Sequence, residues 1–114
     1  MGNLTQYIVV NKGLKMGCGK ICAQVAHASV SALDKVDDSD VSEWKNEGMK
    51  KVVLKAKNTE EMLALFERAK KELPCTLITD AGHTQIEPGS KTCFGCGPVE
   101  EEKANKYFKD LKLL

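Results

Sequence analysis

Two hydrophobic periods alternate along the chain, and the places where one gives way to the other predict its elements. Tyr7-Ile8-Val9-Val10 is an unbroken aromatic and β-branched run closed by Asn11-Lys12-Gly13. It reads as a buried strand followed by a loop through Gly19. From Lys20 to about Val36 the period becomes helical. Ile21, Val25, Ala28 and Ala32 form one stripe, with Cys22, Ala26, Ser29 and Leu33 beside it, so nearly half the cylinder is small or apolar and must pack. Asp37-Asp38-Ser39-Asp40 reads as a turn before a short helix that carries Trp44 and stops at Gly48.

Lys51-Val52-Val53-Leu54-Lys55 is the next predicted strand. Asn58 is placed to cap a following helix, with Glu61 reaching back from three residues on, and Met62, Leu65, Phe66, Ala69 and Leu73 recur at helical spacing. Pro74 ends that helix, and Cys75 to Thr79 is a third strand. Asp80 to Lys91 is a long loop of the kind that usually carries function in a small domain. Thr92 to Gly97 is a last short strand, after which Pro98 and Glu100-Glu101-Glu102 open a final helix. Strands alternating with helices predict an α/β three-layer sandwich. Its four-stranded mixed sheet has helices on both faces and an antiparallel fourth strand, and residues 1–114 form a single domain.

Composition narrows the function classes. Hydrophobic residues at 42% and charged residues at 29% are those of an ordinary folded domain, which excludes collagen, coiled coil and disorder. Seventeen basic against sixteen acidic residues leave a net charge of +1, so any nucleic-acid surface must be a local patch. Apolar runs such as Tyr7 to Val10 are far too short to cross a bilayer. An odd count of five cysteines and an opening without an apolar h-region predict a reducing, cytoplasmic setting.

In open α/β sheets ligands settle beyond the carboxyl ends of parallel strands, and two segments meet that condition: Lys12 to Lys20, and the loop that begins at Asp80. Lys20 sits in the first turn of its helix, where the macrodipole disfavours a cation by about 0.3–1 kcal/mol. With Gly17 and Gly19 presenting backbone N–H groups beside it, the arrangement suits an anion, the plainer alternative being a flexible loop with a solvated lysine. Lys20, Gln24, His27 and Ser31 follow i, i+4, i+7, i+11 as a polar stripe. His27 lies about 10 Å along the axis from Lys20, and by spacing alone it reads as a hydrogen-bonded histidine at a packing seam. Asp80 precedes Gly82, which permits a tight turn, and side chains able to orient water, such as Thr84 and Gln85; a turn former or cap is an equal reading of Asp80. Thr92 can point the same way from the far end of the loop. P-loop, dinucleotide, G-x-S-x-G and H-E-x-x-H patterns do not match. Cys18-x₃-Cys22 and Cys93-x₂-Cys96 offer four thiolates, but strand alternation puts Cys93 and Cys96 on opposite faces and Cys22 belongs to the apolar side of its helix, so no metal site is expected.

Taken together, Lys15-Met16-Gly17-Cys18-Gly19-Lys20, Ala23 to Ala28, Asp80-Ala81-Gly82-His83-Thr84-Gln85, Pro88-Gly89-Ser90-Lys91-Thr92, Gly95-Cys96-Gly97-Pro98 and Leu111-Lys112-Leu113-Leu114 are similar, in order, to the archaeal and eukaryotic type of peptidyl-tRNA hydrolase. The resemblance covers essentially the whole chain. It implies an enzyme that cleaves the ester between peptide and tRNA, without cofactor or metal, on a four-stranded mixed sheet and as a homodimer. By motif position it implies Lys20, Asp80, Thr84 and Thr92 as catalytic residues, with Gln24, His27 and Gln85 beside them. In the expected roles, Asp80, oriented by Thr84, positions or deprotonates water, Lys20 offsets negative charge and Thr92 donates a hydrogen bond. The chain departs from the family pattern at Cys18, at Asn11 to Gly13 and at Cys96. Fixed positive charge is thinner as a result, but Lys12, Lys15, Lys20 and Lys91 can still form a phosphate-binding patch. The rival classes are a noncatalytic RNA-binding or translation-associated adaptor, which would not need Asp80, and a thiol or zinc module, which would need the cysteines.

Overall fold

The computed structural model describes residues 3–81 and 87–114. Among them the elements run β1 (Leu4–Asn11), α1 (Cys18–Ala32), α2 (Asp38–Asn46), β2 (Lys51–Ala56), α3 (Thr59–Ala69), β3 (Cys75–Thr79), β4 (Lys91–Glu100), α4 (Glu101–Phe108) and β5 (Lys112–Leu113). A 3₁₀ turn at Leu33–Lys35 extends α1. The sheet order is β3-β4-β1-β2-β5. β2 is parallel to β1, β4 is antiparallel to both β1 and β3, and β5 is antiparallel to β2.

That order explains the layering. The chain moves to one side of β1 to form β2 and then returns across the sheet to form β3, so crossovers of one hand place α1 and α3 on opposite faces. Residue alternation in β1 agrees. Ile8 and Val10 face α1 with Ala28, Ile78 and Cys93, while Tyr7 and Val9 face α3 and α4 with Met62, Phe66, Phe94 and Phe108. α1 lies unusually close to β4 because Gly95 has no side chain. A Cβ there would stand 2.6 Å from the Ala28 carbonyl oxygen and 3.2 Å from the Ala32 Cβ. This contact fixes the height of α1 above the sheet and, with it, the position of its first turn.

Several expectations are corrected. The sheet has five strands rather than four: β5 pairs with Leu54 and Lys55, and the Leu114 N–H donates to the Val53 carbonyl. Two residues are too short to show a period, and Leu113 is 69% exposed, so backbone pairing rather than burial makes this strand. Pro98 does not open the last helix. It lies within β4, whose pairing with β1 continues to Glu100, and α4 begins at Glu101 with Glu101 and Glu102 in its first turn. The acidic run at 37–40 is the cap and first turn of α2 rather than a separate turn. The Asn58 side chain caps α3 by accepting from the Glu61 N–H, but Glu61 reaches back to the Lys57 N–H, one residue beyond the expected position.

Cys22 is exposed, and so is Ala26. A helix lying on one sheet covers chiefly a single stripe, here Ile21, Val25, Ala28 and Ala32, so Cys22 and Ala26 of the second stripe are left outside. Ser29 and Leu33 of that stripe are half-buried, and the Ser29 hydroxyl donates to Gln6 Oε1. No helix among the described residues is long and apolar enough to cross a membrane.

Candidate active site

The carboxyl ends of β1 and β3 lie on one rim of the sheet, and the residues that follow them meet there. β1 ends at Asn11, the chain crosses the Lys12 to Gly17 segment, and α1 starts at Cys18, which places Lys20 in its first turn. β3 ends at Thr79, so Asp80 is the first residue beyond it. The Lys20 ammonium donates to Asp80 Oδ1 across 60 positions of sequence. Only 8% of the lysine side chain and 2% of the aspartate side chain are exposed.

Local backbone bonds hold Asp80 in place. Its N–H donates to the Ser90 carbonyl at 2.8 Å, and its carbonyl accepts from the Gly89 N–H at 3.1 Å. Gly89 makes this return with φ of 85°, a left-handed conformation that glycine adopts without strain. Lys91 is half-buried and donates to Thr79 Oγ1 at 3.1 Å, so its ammonium lies beside the same strand end.

Thr92 is fully buried at the start of β4, and its hydroxyl donates to Gln24 Oε1 at 2.6 Å. Gln24 lies one helical turn after Lys20, on the same side of α1. A hydroxyl has one proton, and the Ile78 carbonyl at 3.4 Å is the poorer acceptor, so the proton goes to Gln24. With Oε1 occupied, the part of the Gln24 amide left for a ligand is its NH₂ group. Thr92 is expected to donate a hydrogen bond, and the acceptor it meets in the structure is the Gln24 amide.

Lys12, Lys15, Gly17 and Gly19 are exposed around this rim. Open space surrounds the position a Cβ would take at Gly19. The first-turn amides of α1, which by helix geometry lack intrahelical acceptors, lie at the same place. His27 is exposed and has no hydrogen bond among the described residues, which corrects the packing-seam reading. Asp80 and Thr92 cover the polar side of α1 over its first turns, and that cover ends before His27. Thr84 and Gln85 lie outside the described residues.

The cysteines do not gather. Cys93 packs under α1, whereas Cys96 lies on the opposite face beside its cross-strand partner Cys75. Burial pushes the Cys93 thiol up to about 11, with a partial offset from the Thr92 hydrogen bond. Cys96 is also raised, first by its hydrogen bond with Cys75 and then by burial. These thiols stay protonated near neutral pH. Among the described residues no three His, Cys, Asp or Glu side chains form a metal-sized group.

Asn11 is a residue the sequence did not single out. It is fully buried and donates to both Thr59 Oγ1 at 2.7 Å and the Lys91 carbonyl at 3.0 Å, while its Oδ1 accepts from the Gly13 N–H at 2.9 Å. One amide thus ties β1, α3 and β4 together behind the site. Gly13 is required beside it, because a Cβ would come within 2.9 Å of Asn58 Cα. An asparagine followed by Lys-Gly carries the signature of an ordinary loop start, so this tie left no distinguishing mark in the sequence.

Sheet, rim and buried pair define an α/β protein whose candidate site gathers a carboxylate, an ammonium group, an amide held by Thr92 and the first-turn amides of α1. The chain belongs to the Peptidyl-tRNA hydrolase PTH2 family, whose model matches residues 4–114. It is 54% identical over 113 residues to a peptidyl-tRNA hydrolase of Methanococcus maripaludis strain C7, an alignment covering 96% of this chain and 97% of the relative. It is 51% identical over 112 residues to that of Methanopyrus kandleri, with the same coverage. Against the peptidyl-tRNA hydrolase of Sulfolobus acidocaldarius identity is 48% over 116 residues, covering 94% of this chain and 97% of the relative.

Proposed function

We infer that this protein hydrolyses the ester bond between peptide and tRNA in peptidyl-tRNA, returning tRNA to translation. The observation that carries the reading is the buried Lys20–Asp80 pair at the carboxyl rim, within a chain that belongs to this family along nearly its full length. Ester hydrolysis needs a positioned water, donors for the developing oxyanion and a proton for the departing ribose oxygen. Asp80 holds the attacking water and accepts its proton as oxygen bonds to the ester carbonyl. Lys20 and the Gln24 amide, the latter aimed by Thr92, offset the charge that develops on the carbonyl oxygen. The bond to the ribose oxygen then breaks, and that oxygen takes up the proton that Asp80 accepted from water, which returns Asp80 to its carboxylate form. In this reading the side chains of the chain itself carry the chemistry, and Lys12, Lys15 and Lys91 with Gly17 and Gly19 hold nearby phosphate.

The test is release of free tRNA from an N-acetylated aminoacyl-tRNA by wild type, Asp80→Asn and Thr92→Val, with folding verified for each. Loss in Asp80→Asn and a smaller loss in Thr92→Val are expected. Turnover near wild type in Asp80→Asn would move the chemistry away from Asp80, and a wild type that releases no tRNA would favour the adaptor reading instead.

We also read the protein as a cytoplasmic homodimer. Cys22, Ala23, Ala26 and Val30 support the second part: they form an exposed apolar stripe on α1, with Val30 69% exposed. Sedimentation velocity should give a dimer that Val30→Glu weakens; a wild type that sediments as a monomer at high concentration removes this part of the reading.

A further inference from the structure

A cleft of about 490 Å³ opens at the edge of the sheet, between the ends of β2 and β5 and the start of α3. Lys12, Lys55, Lys57 and Lys112 line it, against the acids Glu61 and Asp110. Glu61 is already engaged, since its Oε1 accepts from the Lys57 N–H. Among the described residues the ammonium groups of the four lysines make no ion pair or hydrogen bond. Elsewhere lysines commonly find acceptors: Lys20 on Asp80, Lys35 on the Cys75 carbonyl, Lys50 on Glu101 and Lys106 on Glu72. Four lysines whose ammonium groups have no acceptor among the described residues therefore share this one cleft.

The register of the sheet adds a second, independent observation. Lys55 and Lys112 are directly opposite each other in the antiparallel β2–β5 pair. Like charges at such positions oppose strand pairing, and nothing in the fold is gained from them. An anion between the two chains of β2 and β5 would reverse the sign of that interaction.

The position of the cleft suggests which anion. Lys12 directly follows β1 and Lys57 directly follows β2, so the cleft lies on the same carboxyl rim as Lys20 and Asp80. Asp80 follows β3, three strand spacings from β2 in the order β3-β4-β1-β2. At about 4.8 Å per spacing the two lie roughly 15 Å apart across the sheet. Nucleic-acid phosphates repeat about every 3.4 Å along a strand of duplex, so one polyanion can engage both places, whereas an isolated phosphate cannot.

We propose that the Lys12, Lys55, Lys57 and Lys112 cleft is a second anchoring site for the tRNA, binding sugar-phosphate backbone away from the ester while the acylated end lies at Asp80. This rests on the hydrolase reading for the identity of the RNA. The cleft would then contribute affinity without base readout, as phosphate contacts do.

The test is binding of deacylated tRNA by fluorescence anisotropy over a salt series. The triple variant K55Q/K57Q/K112Q is compared with wild type and with K45Q/K71Q/K103Q, which removes three exposed lysines elsewhere. Each lost phosphate contact lowers the slope of log affinity against log salt by about 0.7–0.9, so the cleft variant should lose roughly 2–3 and the comparison variant nothing. Lys112→Gln alone should weaken binding and raise Tm, because it removes a repulsive pair; a merely structural role would lower Tm. Equal slopes in all three proteins, or equal losses in both triple variants, would overturn the proposal. A wild type that binds tRNA through the cleft yet releases none from N-acetylated aminoacyl-tRNA would sink the hydrolase reading and leave the cleft standing.

Discussion

Lys20–Asp80 and Lys50–Glu101 join the same two chemical groups in surroundings that differ in water. Side-chain exposure is 8% and 2% in the first pair and 61% and 37% in the second. At the exposed pair solvent already screens both charges, so forming it changes little, and such pairs contribute about 0–1 kcal/mol. At the buried pair both charges lose their hydration, and that cost can match or exceed their attraction. Lys20 is further disfavoured by the positive end of α1. The surface pair is an incidental result of two long side chains meeting. The buried pair is thus a weak stability device, and this is the physical ground on which its proposed catalytic role rests.

The contrast can be broken most sharply through activity. Removing a positioned general base typically costs 10²- to 10⁴-fold in rate, so Asp80→Asn should lower kcat for N-acetylated aminoacyl-tRNA by about that factor. Glu101→Gln should leave turnover within about twofold of wild type, since each tenfold change requires about 1.4 kcal/mol and the pair is worth less than that. Equal losses in the two variants would remove the distinction.

Stability gives the next largest effect. Lys20→Met leaves Asp80 as a buried carboxylate without its lysine, and breaking such a pair costs about 3–5 kcal/mol in urea denaturation. Replacing both residues in K20M/D80L should recover most of that loss while turnover stays absent. A single variant as stable as wild type would show that the site admits more water than the exposures of its side chains indicate.

The smallest effect lies at the surface pair and appears as a pH dependence. Lys50 first and then the Thr5 hydroxyl hold the Glu101 carboxyl below its ordinary value. The unfolded chain therefore binds this proton more readily than the folded one. The contribution of Glu101 is complete above its unfolded pKa, near 4.3, and is lost as pH falls through the lower folded value. The stability difference between wild type and Glu101→Gln should be under about 1 kcal/mol at neutral pH, shrink below pH 4 and fade in 1 M salt. A difference that persists at pH 2 would assign the contribution to packing.

Parts of the site were legible because they depend on local order along the chain. A strand followed by a helix start puts Lys20 at a carboxyl rim, and a strand followed by Asp80 puts the carboxylate at the same rim, whatever contacts they make. Alternation along β4 likewise separated Cys93 from Cys96. Partners were not legible where the choice depended on distance in space. Thr92 could have offered its hydroxyl to a ligand, and only the approach of Gln24, 68 positions away, commits it. Asn11 looked like a loop residue because its partners, Thr59 and Lys91, lie 48 and 80 positions away. Cys22 was placed inside because period alone cannot say how wide a stripe the sheet will cover.

The sequence by itself determined the kinds of elements, their order and the rim on which Lys20 and Asp80 emerge, because periodicity and turn chemistry act over a few residues. The tertiary structure decided that β4 inserts between β3 and β1, that β5 pairs at the far edge with Lys112 opposite Lys55, and which donor meets which acceptor. Those outcomes depend on backbone pairing and close approach between distant segments, such as Gly95 beneath Ala28, and no local pattern encodes the distance between them.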